Sequence, residues 1–223
     1  MKNIVVLISG SGTNLQAIID ACATGRISTA RVSFVFSNRK SAYGLIRASS
    51  ASPPIPSEVL ALQPYLKSAP DRTRIQYDLE IARRILNKCI DDGVHLVVLA
   101  GFLHILSQEF LEVFSGIREF DEGRRVKTEI PIINLHPALP GAFDGAGAIE
   151  RAFEAFRRGE IQGTGVMVHH VVRDVDRGEP ILTRNVEILE NDDLAALEER
   201  IHAVEHEILV EAVEKVLQQS SPI

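Results

Sequence analysis

Cysteine is scarce in this sequence: only Cys22 and Cys89 occur among 223 residues. Both fall in helical patterns, with no disulfide framework and no histidine at short metal-ligand spacing. A reducing compartment, the cytoplasm, is therefore expected. No apolar run reaches bilayer length. The opening "MKNIVVLISG" has one Lys and a short apolar stretch but no spacer or cleavage pattern, so it reads as a buried first strand. An excess of basic charge is lacking too. Lys and Arg number 24 against 30 Asp and Glu, the net charge is −6, and no basic stripe appears. That argues against a nucleic-acid or membrane partner. A small anionic ligand stays possible, because its site needs only a few local donors. Internal repeats and low-complexity tracts are also absent.

What is present is an ordinary globular composition, 45% apolar with a mean hydropathy of +0.07. The length suits one sizeable domain, taken here as residues 1–223. Short apolar runs alternate with amphipathic stretches. Strands are read at 3–9, 31–38, 94–102 and 131–135, and two more within 165–188 around a turn at Asp176-Arg177-Gly178. Helices are read at 14–25, 41–51, 71–93, 107–116, 147–160 and roughly 192–218. The 71–93 helix carries an apolar stripe at 75, 79, 82, 85, 86 and 90. The Pro- and Ser-rich segment 52–70 reads as a long surface connection, and the charged 117–131 as an excursion without helical period. This alternation predicts an α/β fold, Rossmann-like, with a mostly parallel central sheet and helices on both faces. In such sheets ligands bind beyond the carboxyl ends of the strands.

The informative polar groups sit at those ends. After the first strand, "SGSGTN" joins strand to helix through Gly10 and Gly12. Glycine lets backbone amides approach an anion, the helix N-terminus favours negative charge, and Thr13 and Asn14 can cap the helix and donate to a phosphate. A dinucleotide site would want a third Gly at position 15 and an acid after the second strand. The sequence has Leu15 and "FSNRK" there, so a single phosphate fits better than a pyrophosphate. The loop is also compatible with a tight turn that binds nothing.

After the 131–135 strand comes "NLHPALPG". Residues two apart on a strand share a side, so Asn134 and His136 present an amide and an imidazole to one space. "VHHVVRDVDRGEPI" adds Asp176, which near His136 would orient the ring and raise its pKa, and which by itself equally suits a turn. His169 and His170 face opposite sides, so at most one can look into the site, and parity does not say which. "HAVEH" (202–206) pairs two histidines four apart but departs from the zinc motif, and no metal is expected.

"VVLISGSGTNLQAII", "VVLAGFLHILS", "INLHPALPG" and "VHHVVRDVDRGEPI", in this order and spacing, resemble the phosphoribosylglycinamide formyltransferases. The resemblance covers about residues 3–217. "HPALPGAFDGAGAIERAF" is closer to the fungal form than to the bacterial one, whose loop has Tyr-Pro-Gly where this chain has Phe143-Asp144-Gly145. The resemblance implies formyl transfer from 10-formyltetrahydrofolate, as co-substrate, to the amine of glycinamide ribonucleotide in purine synthesis. It implies a catalytic trio of Asn134, His136 and Asp176, and a ribonucleotide site of Gly12, Thr13, Asn14 and Glu205. The implied folate pocket comprises Arg74, Leu103, His104, Ile105, Leu106 and Asn134, with the loop from Val172 to Asp176. A phosphate-binding half of about 1–100 would precede a catalytic and folate-binding half of about 101–218, in a monomer or homodimer. One departure is His104, where bacterial members often carry Arg.

Three rivals follow. A 10-formyltetrahydrofolate hydrolase shares the trio, but usually with an N-terminal regulatory domain, whereas this chain opens on its first core strand. A methionyl-tRNA formyltransferase would add a basic C-terminal domain. A non-catalytic phospho-ligand-binding module explains the loop but leaves the trio without a purpose.

Overall fold

The computed structural model describes residues 1–89 and 93–219. In chain order the elements are β1 (Lys2–Ile8), α1 (Thr13–Ala23), β2 (Ala30–Ser37), α2 (Gly44–Ser50), β3 (Ser57–Val59), α3 (Leu62–Lys67) and α4 (Arg74–Lys88). They continue as β4 (Leu96–Leu99), α5 (Gln108–Phe114), β5 (Ile132–His136), α6 (Ala148–Arg157), β6 (Gly163–His170), β7 (Pro180–Glu187) and α7 (Leu194–Gln219). One seven-stranded sheet runs in the order β3-β2-β1-β4-β5-β6-β7. The pairings are parallel from β3 through β5, and antiparallel at β5–β6 and β6–β7. This is the mostly parallel α/β sheet that the alternation predicts.

Strands buried on both faces need cover on both, and two cores supply it. Ile4, Val6 and Ile8 pack with α1, α6 and α7, while Val5 and Leu7 pack with α4 and α5. The same alternation on β5 sends Ile133 and Leu135 to the first core and Ile132 to the second. Asn134 and His136 follow Ile132 on its side, but lie at the strand end, where the core gives way to a cleft. The order of strands reverses between β1 and β4, so the loops leaving those two strands diverge and open a crevice.

Three expectations need correction. Segment 52–70 is not a plain connection: β3 pairs with the outer part of β2, and α3 buries Tyr65 against Tyr77 at 5.5 Å between ring centroids. The α4 stripe holds at Ala82, Ile85 and Leu86, with Leu79 half-buried, but it also takes in Tyr77, Asp78 and Ile81 while Ile75 is exposed. Ile90 of that stripe lies outside the described residues. The excursion 117–131 forms no helix, as expected, and folds back with Phe120 and Val126 on the second core and a tight Asp121–Arg124 bridge. The connection from β6 to β7 is a nine-residue loop rather than a hairpin turn. Gly178 lies so close to this loop's root that an added Cβ would sit 1.6 Å from the His170 carbonyl oxygen.

Candidate active site

A cleft of about 710 Å³ crosses the carboxyl ends of β1, β4, β5 and β6. The loop after β1 forms one end. Gly12 is the N-cap of α1 with φ +71°, and its Cα packs so closely on Gly44 that a Cβ would meet that residue at 2.5 Å. Glycine at position 12 is thus required by backbone shape and crowding, before any ligand is considered. Thr13 and Asn14 do not cap the helix, as expected of them; no side-chain cap is made. Instead Asn14 Nδ2 donates to Glu205 Oε2 of α7 at 3.1 Å. Burial pushes the Glu205 carboxyl up, partly offset by that bond and by His202. The buried Asn14 Oδ1 has no partner among the described residues. His202, Glu205, Gly12, Thr13 and Asn14 therefore line one end of the cleft together.

The middle holds the three polar side chains from separate segments. Asp176 Oδ2 lies 3.4 Å from His136 Nδ1, and Asp176 Oδ1 accepts from Asn134 Nδ2 at 3.2 Å. Both members of the carboxylate–imidazole pair are nearly buried, at 4% and 8% side-chain exposure. His136 Nε2 reaches the Ala142 carbonyl at 3.3 Å, which fixes the plane of the ring. The Asp176 backbone is left-handed, φ +55°, a conformation that Asp tolerates better than most residues. Asp176 thus lies in a turn and also directs its carboxyl at His136 and Asn134.

Strand register resolves the histidine pair. His169 stands directly opposite Asn134 across β5–β6, so the two share a face. Its Nε2 is 3.2 Å from Asn134 Nδ2 and 3.5 Å from Asp176 Oδ1. Its Nδ1 donates to the His170 carbonyl at 2.9 Å, so Nε2 carries a proton toward Asp176 only when the ring is charged. Burial alone would raise the Asp176 carboxyl. The bonds from His169 and the Gly145 amide, with the charges of His136 and His169, more than offset it and hold the group below the usual carboxylate range.

At the far end the cleft turns apolar. Leu103 and Ile105 are 62% and 68% exposed, and Val172 and Val175 face them with partial exposure. Leu106 is buried, and Arg74, the first residue of α4, is exposed at the margin. The His104 imidazole is committed elsewhere: Nε2 lies 2.6 Å from Asp78 Oδ1 and the ring stacks edge-on to Tyr77. Asp78 Oδ2 also accepts from the Ser107 amide at 2.8 Å, and Ser9 Oγ accepts from the Leu103 amide at 2.7 Å. The loop 101–107 is thus fastened at Leu103, His104 and Ser107 while the side chains of Leu103 and Ile105 stay exposed. Asp78 and Ser9 escaped the sequence reading, His169 was left undecided against His170, and His202 was weighed only as half of a metal pair.

Apart from Asp174, the residues that the resemblance assigned to catalysis, ribonucleotide and folate line this one cleft. The pattern of the formyl transferase family matches residues 2–213. The chain is 49% identical to phosphoribosylglycinamide formyltransferase of Schizosaccharomyces pombe, over 97% of this chain and 98% of that one. It is 48% identical to the protein of that name from Dictyostelium discoideum, over 95% and 96%. Its fold is similar to the crystal structure of glycinamide ribonucleotide transformylase 1 from Symbiobacterium toebii, with TM-score 0.81, 36% identity and coverage of 100% and 91%. On this sequence and structural likeness, the chain belongs to the formyl transferase family.

Proposed function

We propose that this protein transfers the formyl group of 10-formyltetrahydrofolate to the amine of glycinamide ribonucleotide, in the cytoplasm, as a step of purine synthesis. The observation that carries the reading is the meeting of Asn134, His136 and Asp176 midway between an anion-suited helix terminus and an apolar recess. In this reading, the half up to about residue 100 supplies the phosphate loop, and the half from about 101 supplies catalysis and most of the folate pocket. The Gly12, Thr13 and Asn14 amides face the phosphate, Glu205 and His202 the rest of the ribonucleotide, and Arg74 a carboxylate of the folate. Leu103, Ile105, Leu106 and Val172 cover its apolar ring, and His104 contributes through its backbone.

The chemistry is acyl transfer from one nitrogen to another, through a tetrahedral carbon bearing an oxyanion. The substrate's own amine attacks, so no protein nucleophile is needed. Asn134 Nδ2 carries two hydrogens: one is on Asp176 Oδ1, and the other, beside His169 Nε2 in the free cleft, passes to the oxyanion. Removing a donor of this kind costs about 10²–10³ in rate. His136, its Nδ1 held by Asp176, turns its Nε2 proton from the Ala142 carbonyl to the formyl oxygen and passes it to the departing folate nitrogen, general acid work worth about 10²–10⁴. Asp176 holds His136 Nδ1 and accepts, through water, the proton leaving the attacking amine. Alignment of the two substrates supplies much of the remainder.

The test is folate deformylation followed by absorbance, with and without glycinamide ribonucleotide. Turnover that requires the ribonucleotide supports transfer. Turnover without it selects hydrolysis, and none in either case selects a binding module. His136→Ala should lower kcat by about 10²–10⁴ with the far-UV dichroism unchanged; an active variant removes His136 from the mechanism.

A further inference from the structure

Between Gly141 and Gly147 the chain runs Gly-Ala-Phe-Asp-Gly-Ala-Gly, and all three glycines have positive φ. A segment so rich in glycine loses much conformational freedom when ordered, so its shape must be imposed from outside. Yet the Gly145 amide within it donates to Asp176 Oδ2 at 2.8 Å, the same oxygen that faces His136. That geometry depends on one side chain of α6. Arg151 Nη2 donates to the carbonyls of Phe143 at 2.6 Å, Asp144 at 2.8 Å and Gly145 at 3.5 Å, while its Nε donates to Gly147 at 3.2 Å. A planar guanidinium can gather these carbonyls at once; an ammonium cannot hold the same fork. Its position under the Phe143 ring, 5.9 Å from the centroid, helps explain why Phe143 tolerates φ +50°. Arg177 adds a second strut, pairing with Asp144 at 2.6 Å from the far side of Asp176.

We propose that Arg151 is a positioning residue for catalysis: by gathering the carbonyls of 143–145 and 147 it aims the Gly145 amide at Asp176. The inference rests on the catalytic reading of Asp176 given above. The charged and titratable groups facing Asp176 are His136 from β5 and His169 from β6, with the Asn134 amide beside them; Arg177, next in the chain, is held by Asp144. None of these is displaced by trimming an exposed arginine on α6. The Gly145 bond is one of the influences that lower the Asp176 pKa. Weakening that bond lets the carboxyl protonate at higher pH.

The experiment compares wild type, Arg151→Ala, Arg151→Lys and Asp176→Asn. Arg151→Ala should lose between about 10- and 100-fold in kcat, as misplacement of a catalytic group by a fraction of an ångström does. Its KM for the ribonucleotide should hold, and the acid limb of its kcat profile should move to higher pH. Arg151→Lys should fall between it and wild type. An Arg151→Ala enzyme with unchanged kcat, or with reduced kcat and an unmoved acid limb, overturns the proposal while an inactive Asp176→Asn leaves the catalytic reading standing. A fully active Asp176→Asn overturns that reading itself, and the proposal with it.

Discussion

A buried carboxyl is best read one residue at a time. Glu205 is buried on α7, and the environment raises its pKa, burial being the main cause. The sign follows from linkage. A carboxyl raised in the folded state stabilises the protein fully below its unfolded value and loses that contribution as pH climbs through the folded value. Glu205→Gln keeps an oxygen to accept from Asn14 and cannot ionise. The variant should therefore melt close to wild type near pH 4 and above it at pH 8. The check is melting temperature against pH, and parallel curves would dismiss an ionising Glu205. If the proposed ribonucleotide site holds, affinity for that substrate should fall in the same variant, because the Glu205 carboxylate lining that end of the cleft is lost.

At the scale of elements, the cleft is built by fastening loops to rigid neighbours. Asp78 on α4 holds both His104 and the Ser107 amide, and so sets the height of Leu103 and Ile105 in the apolar recess. Asp78→Ala leaves a buried amide and imidazole unsatisfied, at a cost of about 1–3 kcal/mol. The effect should appear as a rise of roughly tenfold or more in KM for the folate, with KM for the ribonucleotide unchanged. Steady-state kinetics with each substrate varied in turn tests this; equal rises in both would mean general loosening. The elements themselves were largely legible, because period and length separate strands such as "NIVVLIS" from helices such as "NLQAIIDACATG". Two things were not. β3 and α3 are too short to show a period, and a run dense in Pro and Ser conceals them. The side of α4 that is buried depends on where α5 and the sheet sit, which is why the stripe was placed too near Ile75.

For the whole molecule, the strand order decides where chemistry can occur. The reversal between β1 and β4 opens one crevice, and the antiparallel return of β6 carries His169 and the Asp176 loop back over β5. Both proposed substrates would lie across this crevice and bind only the folded chain. Ribonucleotide at a hundred times its Kd should add about 2.7 kcal/mol of stability. For a chain of this length that is roughly 5–10 °C in melting temperature. Thermal unfolding with and without the ligand measures it, and no shift at saturation would contradict a site in this cleft.

The amino-acid order by itself determined the α/β alternation, the glycine turn at 10–12, and the shared side of Asn134 and His136. Each of these is a local matter of backbone freedom and two- or 3.6-residue periodicity. Only the tertiary structure decided that His169 rather than His170 faces Asn134, that His104 serves Asp78, and that Arg151 governs the loop touching Asp176. Those outcomes depend on strand register and on approaches between residues far apart in the chain, which no local period encodes.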